Sequence, residues 1–123
     1  MPLNHELVSL GARFLEATVT APDYRLFALA GTAPPKPGLL RVPAGTGGRI
    51  EVEIWGLRTD AFGRFVDAVP TPLTIGSVRL ADGRNAKGFL VEPEGVVGAR
   101  DVTAFGGWRK AVAGVSNSGP LRR

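Results

Sequence analysis

Arg49-Ile50-Glu51-Val52-Glu53-Ile54-Trp55-Gly56-Leu57-Arg58-Thr59-Asp60-Ala61-Phe62-Gly63-Arg64-Phe65-Val66-Asp67-Ala68-Val69-Pro70 changes its hydrophobic period part-way along. Up to Ile54 the apolar residues Ile50, Val52 and Ile54 alternate with Arg49, Glu51 and Glu53. That is the period of two that a pleated strand imposes, because successive side chains leave opposite faces. Beyond Gly56, the residues Phe62, Phe65, Val66 and Val69 recur at three- and four-residue spacing and fall on one helical face. Thr59 or Asp60 is placed to cap that helix, and Pro70 and Pro72 to stop it. A strand followed by an amphipathic helix that must bury one face against a sheet predicts an α+β domain.

The flanking sequence adds short elements of the same kind. Residues 73–80 and 86–91 flank Ala81-Asp82-Gly83-Arg84-Asn85, where Asp-Gly is a strong hairpin signal. Upstream, residues 14–20 and 24–29 are expected to pair across the turn Ala21-Pro22-Asp23, and residues 38–42 and 49–57 across the glycine-rich residues 43–48. Between these pairs, the three prolines of Gly31-Thr32-Ala33-Pro34-Pro35-Lys36-Pro37-Gly38 remove backbone donors, which predicts a stiff exposed loop. Leu3, Leu7, Leu10 and Phe14 read as a short N-terminal helix capped by Asn4, with Gly11 placed to end it early. Residues 102–113 read as a short terminal helix reached through Phe105-Gly106-Gly107-Trp108. The expectation is one domain over residues 1–113, a small mixed β-barrel or curled sheet with short peripheral helices, and a flexible tail over residues 114–123.

Composition bounds the function classes. At 123 residues, with 44% hydrophobic and 21% charged residues, a chain buries about two thirds of its unfolded surface and forms a single core. Cysteine is absent and His5 is the one histidine, so disulfides, thiolate metal sites, a cysteine nucleophile and a multi-histidine metal site are excluded, and no metal or cofactor is expected. No apolar run reaches the length of a membrane span, and the opening residues lack the basic start and apolar stretch of a signal peptide. The expected location is therefore the cytoplasm, without membrane contact. The net charge of +4 comes from scattered cations that do not interleave with aromatics, so nucleic acid is not the expected partner.

No Walker loop, Rossmann fingerprint, nucleophile elbow or zinc spacing is present. Two constellations remain. Glu51 and Glu53 project from one strand face: enclosed in a barrel mouth they form a pair suited to proton transfer, and outside they form a solvated row opposite Ile50, Val52 and Ile54. The alternation favours the solvated row. The second set is Asn4, Arg13, Lys36, Arg41 and Lys87, amide and cationic donors of the kind that grip a small substrate with two carboxylate ends, arginine bidentately and lysine as a point charge. Tyr24, at the start of a strand, is counted with them as a binding residue. Phe105-Gly106-Gly107-Trp108 either lets the backbone approach a ligand or is a turn into a helix with two aromatic anchors, the commoner use.

The ordered blocks Met1-Pro2-Leu3-Asn4, Ala21-Pro22-Asp23-Tyr24-Arg25-Leu26, Pro34-Pro35-Lys36-Pro37-Gly38-Leu39, Phe62-Gly63-Arg64-Phe65-Val66, Pro72-Leu73-Thr74-Ile75-Gly76-Ser77-Val78, Lys87-Gly88-Phe89 and Thr103-Ala104-Phe105-Gly106-Gly107-Trp108-Arg109 resemble the C-terminal domain of allophanate hydrolase. The resemblance spans nearly the whole chain and implies a γ-glutamylcyclotransferase-like fold. In that family an amidase domain removes ammonia from allophanate, and the C-terminal domain is thought to speed decarboxylation of the resulting N-carboxycarbamate, a compact dianion that suits the donor set. Two departures stand out. Cyclotransferases use a carboxylate after the middle helix, where this chain has Asp67-Ala68-Val69-Pro70 without glutamate, so cyclotransferase activity on a γ-glutamyl amine is the least favoured reading. Family members also carry a Gly-Ala-His-Leu-Ser-Gly-like segment before the Pro-Leu-Asn block, and this sequence opens inside that block. The competing expectation is a non-catalytic module that forms a homodimer or docks on an amidase through Trp55 and Trp108.

Overall fold

The structure, a computed structural model, describes residues 7–31 and 35–117. Seven strands are found among them: β1 (Arg13–Val19), β2 (Tyr24–Ala28), β3 (Pro37–Arg41), β4 (Glu51–Gly56), β5 (Leu73–Arg79), β6 (Asn85–Val91) and β7 (Arg100–Asp101). Two helices accompany them, α1 (Thr59–Asp67) and α2 (Trp108–Asn117). The strands form three open antiparallel sheets, β1-β4, β3-β2-β7 and β5-β6. The fold is thus α+β, as the change of period at Gly56 predicts.

The elements follow the sequence reading more closely than their partners do. β1 pairs with β4, with Val19 opposite Glu51 and Arg13 opposite Gly56, rather than with β2. The turn Ala21-Pro22-Asp23 is a corner, because the chain entering it bonds elsewhere: Thr20 N–H donates to the Ile50 carbonyl and Ala21 N–H to that of Arg79, both at 2.9 Å. β2 pairs instead with β3, Tyr24 opposite Arg41, and the Leu29 N–H donates to the Lys36 carbonyl at 2.8 Å just beyond the ladder.

The glycine-rich segment does not fold β3 back onto β4. It crosses the corner, where the Gly47 and Gly48 N–H groups donate to the carbonyls of Pro22 and Tyr24 at 3.0 and 2.8 Å. Only glycine fits at position 47, since a Cβ there would lie 2.6 Å from the Tyr24 backbone nitrogen. This crossing delivers β4 to β1. Asp23, buried within the corner, accepts from Gly45 N–H at 3.2 Å.

The β5-β6 hairpin forms as read, with Gly83 in the left-handed region at φ 93°. Helix α1 starts one residue before the sequence-based caps: Arg58 is the N-cap and makes no side-chain capping bond. Phe65 meets Phe89 of β6 with ring centroids 5.3 Å apart, which docks the apolar face of the helix as its spacing requires. Residues 7–9 are helical, and Gly11 at φ 79° ends the turn. The capping role of Asn4 lies outside the described residues. Gly106 at φ 81° turns the chain into α2, with Phe105 and Trp108 packed on the core, so the Phe105-Gly106-Gly107-Trp108 segment is a turn with two aromatic anchors. Helix α2 continues to Asn117, past the start of the expected tail.

The core centres on Tyr24, Leu26, Ile50, Val78, Val102 and Ala111. Within the stretch that fixes the fold, Ile50 is buried while Val52 and Ile54 are half-buried. The β1-β4 ribbon thus projects from the core. Burying these apolar groups contributes roughly 25 cal/mol for each Å² removed from water.

Candidate functional site

Among the described residues, two of the recesses in this scaffold bear on function. The first, about 110 Å³ in volume, lies between the β2-β3 loop and the turn that follows α1, and is lined by Leu29, Ala30, Lys36, Pro70, Thr71, Pro72, Leu73 and Gly95. Its walls are fixed by backbone bonds: Leu73 N–H donates to the Pro70 carbonyl at 3.0 Å, and Glu92 N–H to that of Pro72 at 2.9 Å. The Thr71–Pro72 peptide is cis. A Cβ on Gly95 would sit 2.6 Å from Pro72 and 2.8 Å from Val91, so glycine lets this wall close.

Lys36 is the cation of that recess. Its side chain is exposed and makes no ion pair or hydrogen bond among the described residues. One water needs roughly 10–15 Å³, so the space accepts a small molecule. Apolar walls beside a single ammonium raise the cost of a free carboxylate while holding one partner charge for it.

The second recess, about 320 Å³, lies where β1 begins, β4 ends and α1 begins, lined by Gly11, Arg13, Leu15, Gly56, Leu57 and Arg58. The β1-β4 register shifts between Phe14 and Glu16, which leaves Leu15 in a bulge. A Cβ placed on Gly56 would lie 3.5 Å from that leucine.

The other sequence candidates are dispersed. Glu51 Oε2 accepts from Lys110 Nζ at 2.8 Å, and Glu53 Oε2 from Arg109 at 3.3 Å; Trp55 Nε1 also donates to Glu53 Oε1 at 3.3 Å. Both glutamates are exposed and pair β4 with α2 at the protein surface, the solvated arrangement that the alternation favours over an enclosed mouth. Arg13 stands at the opposite end of the same ladder from Glu51, about 17 Å away at the usual strand rise. Tyr24 is wholly buried, and its hydroxyl accepts the Arg79 N–H at 2.8 Å. It serves the core, with no surface left for a ligand. Arg41 lies over the Tyr24 ring with its guanidinium carbon 5.9 Å from the centroid, and Lys87 Nζ donates to Ser77 Oγ at 2.9 Å. Asn4 lies outside the described residues.

Sequence reasoning missed the Arg109 and Lys110 partners, the wall Pro70-Pro72-Gly95 and Arg58. Of these, only the two cations at the start of α2 left a signal, following Trp108 directly in sequence. Elsewhere the strongest electrostatic cluster is structural. Arg84 donates to both oxygens of Glu16, at 2.8 and 3.1 Å, and to Asp82 at 2.8 Å. The side-chain bond from Arg84 holds the Glu16 carboxyl below its ordinary value of 4.5, and the Arg84 backbone and side-chain bonds hold Asp82 below 3.8. Among the described residues no group of acidic or histidine side chains is placed to hold a metal ion, and no helix is long and apolar enough to cross a membrane.

The model of the allophanate hydrolase C-terminal domain family matches residues 1–113. The chain belongs to that family. It is 41% identical over 112 residues to the urea amidolyase of Saccharomyces cerevisiae, a match covering 89% of this chain and 6% of the relative. Among solved structures, the allophanate hydrolase of Kluyveromyces lactis superposes with a TM-score of 0.88 at 39% identity, over 94% of this chain and 19% of that one. A uropathogenic E. coli-specific protein, c4763, superposes at 0.81 with 34% identity, and there the match covers 90% of this chain and 84% of the other. The domain thus spans a small fraction of the curated relatives and most of a compact one.

Proposed function

We propose that the domain assists loss of CO₂ from N-carboxycarbamate, the product of allophanate deamination in urea degradation, and that the Lys36 recess is where the dianion binds. The observation that carries this reading is the pairing of apolar walls with an ammonium that has no partner among the described residues. Lys36 grips one carboxylate, while Leu29, Pro70, Pro72 and Leu73 strip water from the other. As the C–N bond to the departing carboxylate breaks, its electron pair stays on nitrogen, which takes up a proton; CO₂ and carbamate leave. The partner is an amidase domain or subunit that supplies the dianion in the cytoplasm, and the three open sheets are this chain's version of the γ-glutamylcyclotransferase-like barrel. Arg13, Arg41 and Lys87 do not line this recess, and among the described cations the proposal rests on Lys36 alone.

The test couples the purified chain to an allophanate-cleaving amidase domain and measures CO₂ release. The chain is expected to accelerate release, with Lys36→Ala lowering the acceleration at least tenfold and Lys36→Arg retaining part of it. An acceleration that Lys36→Ala leaves intact ends the assignment. The alternative, a homodimer or docking module, is favoured by the exposure of Phe14, 52% accessible and stacked edge-on against Trp55 at 5.6 Å. A stable complex without any change in release rate is its signature.

A further inference from the structure

The recess at the end of the β1-β4 ribbon has a different chemistry from the one at Lys36. Leu15, Gly56 and Leu57 supply apolar lining, and two arginines, Arg13 and Arg58, line it with them. Arg13 makes no ion pair among the described residues. Among the described residues the Arg58 side chain pairs with Asp60 alone, through Nε at 3.3 Å, with both side chains largely in solvent, which leaves the two terminal nitrogens of its fork available. Two like charges held beside apolar lining repel one another and are relieved by an anion between them. A volume of about 320 Å³ lies at the lower end of the range of small-molecule pockets.

We propose that this recess binds a carboxylate carried on a short branched or linear hydrocarbon body, the carboxylate bridging Arg13 and Arg58 and the hydrocarbon resting on Leu15 and Leu57. A planar guanidinium matches carboxylate geometry bidentately, and the apolar lining removes the hydrocarbon from water. A compact dianion with no hydrocarbon leaves that lining unused, so the site is distinct in preference from the Lys36 recess and stands whether or not the decarboxylation reading does. The same chemistry is offered by a free metabolite and by the C-terminal leucine of a protein.

Isotope-labelled protein titrated with isovalerate and followed by amide chemical shifts tests this directly. Saturable shifts are expected at Gly11, Leu15, Gly56 and Leu57, with Leu73 and Gly95 unmoved. The neutral isostere isovaleramide is expected to bind at least tenfold more weakly, and Arg13→Gln and Arg58→Gln each to weaken isovalerate several-fold in spectra that otherwise overlay the parent. Arg13→Lys, which keeps the charge and loses the fork, should fall between. A peptide ending in free leucine that binds at least tenfold more tightly than isovalerate identifies a protein terminus as the source; equal binding identifies the free acid. Equal shifts from the amide, linear shifts without saturation, or indifference to both arginine substitutions overturn the proposal.

Discussion

Replacing Tyr24 by phenylalanine removes a single oxygen from the centre of the protein. That oxygen accepts the Arg79 N–H at 2.8 Å, while the Arg79 carbonyl accepts from Ala21 N–H at 2.9 Å, so the hydroxyl ties β2 to the end of β5. A hydrogen bond of this kind contributes about 0.5–1.5 kcal/mol, and a buried donor left without its acceptor costs about 1–3. This bond is only part-buried, which places the expected loss at about 1–2 kcal/mol. For a domain of this length each kcal/mol lowers Tm by roughly 3–6 °C, so Tyr24→Phe is expected to melt roughly 3–12 °C below the parent. Thermal denaturation followed by circular dichroism reads the shift, and urea titration should show a lower midpoint with an unchanged slope. Any ligand affinity measured on folded protein should stay the same. A variant that melts with the parent yet loses ligand binding would show that the tyrosine works at a site and not in the core.

Three further substitutions have expected outcomes. Gly47→Ala should destabilise by at least about 2 kcal/mol in urea, because the new Cβ meets the Tyr24 backbone, whereas Gly63→Ala, with nothing within 4 Å of its Cβ, should gain about 0.5–1 kcal/mol by stiffening the unfolded chain. The depressed carboxyls of Glu16 and Asp82 make the Arg84 cluster stabilising above their ordinary values of 4.5 and 3.8. Acid protonates them first in the unfolded chain, so this contribution fades as pH falls through those values toward the lower folded ones. Arg84→Gln should flatten the dependence of Tm on pH across about pH 5 to 3, and high salt should shrink the difference between the two proteins, since exposed pairs are screened; identical pH profiles would remove the cluster's role.

Local structure was legible because it depends on local spacing. The period change at Gly56, the Asp82-Gly83 hairpin, the stop at Pro70 and the aromatic turn into α2 all rest on residues within a turn or two of each other. Strand pairing was not legible, because the corner at Ala21-Pro22-Asp23 looks in sequence like a hairpin turn. Only the carbonyls of Ile50 and Arg79, far along the chain, reveal that the chain entering it bonds elsewhere. The candidate site divides the same way. Lys36 was singled out as one of a set of cationic donors, but the wall beside it comes from Pro70, Pro72 and Gly95, and no spacing rule connects them. Glu51 and Glu53 were seen as a pair facing one way; that Arg109 and Lys110 neutralise them depends on where α2 docks.

The long-range ladder between β1 and β4 also sets a timetable during synthesis. A ribosome adds about 5–20 residues per second, so the segment bearing Phe14 and Leu15 emerges seconds before Glu51–Gly56 exists to receive it. In that interval β2 and β3 are free to close their own hairpin, and the earlier strand waits as an unmatched apolar ribbon, the kind of nascent segment on which a chaperone acts.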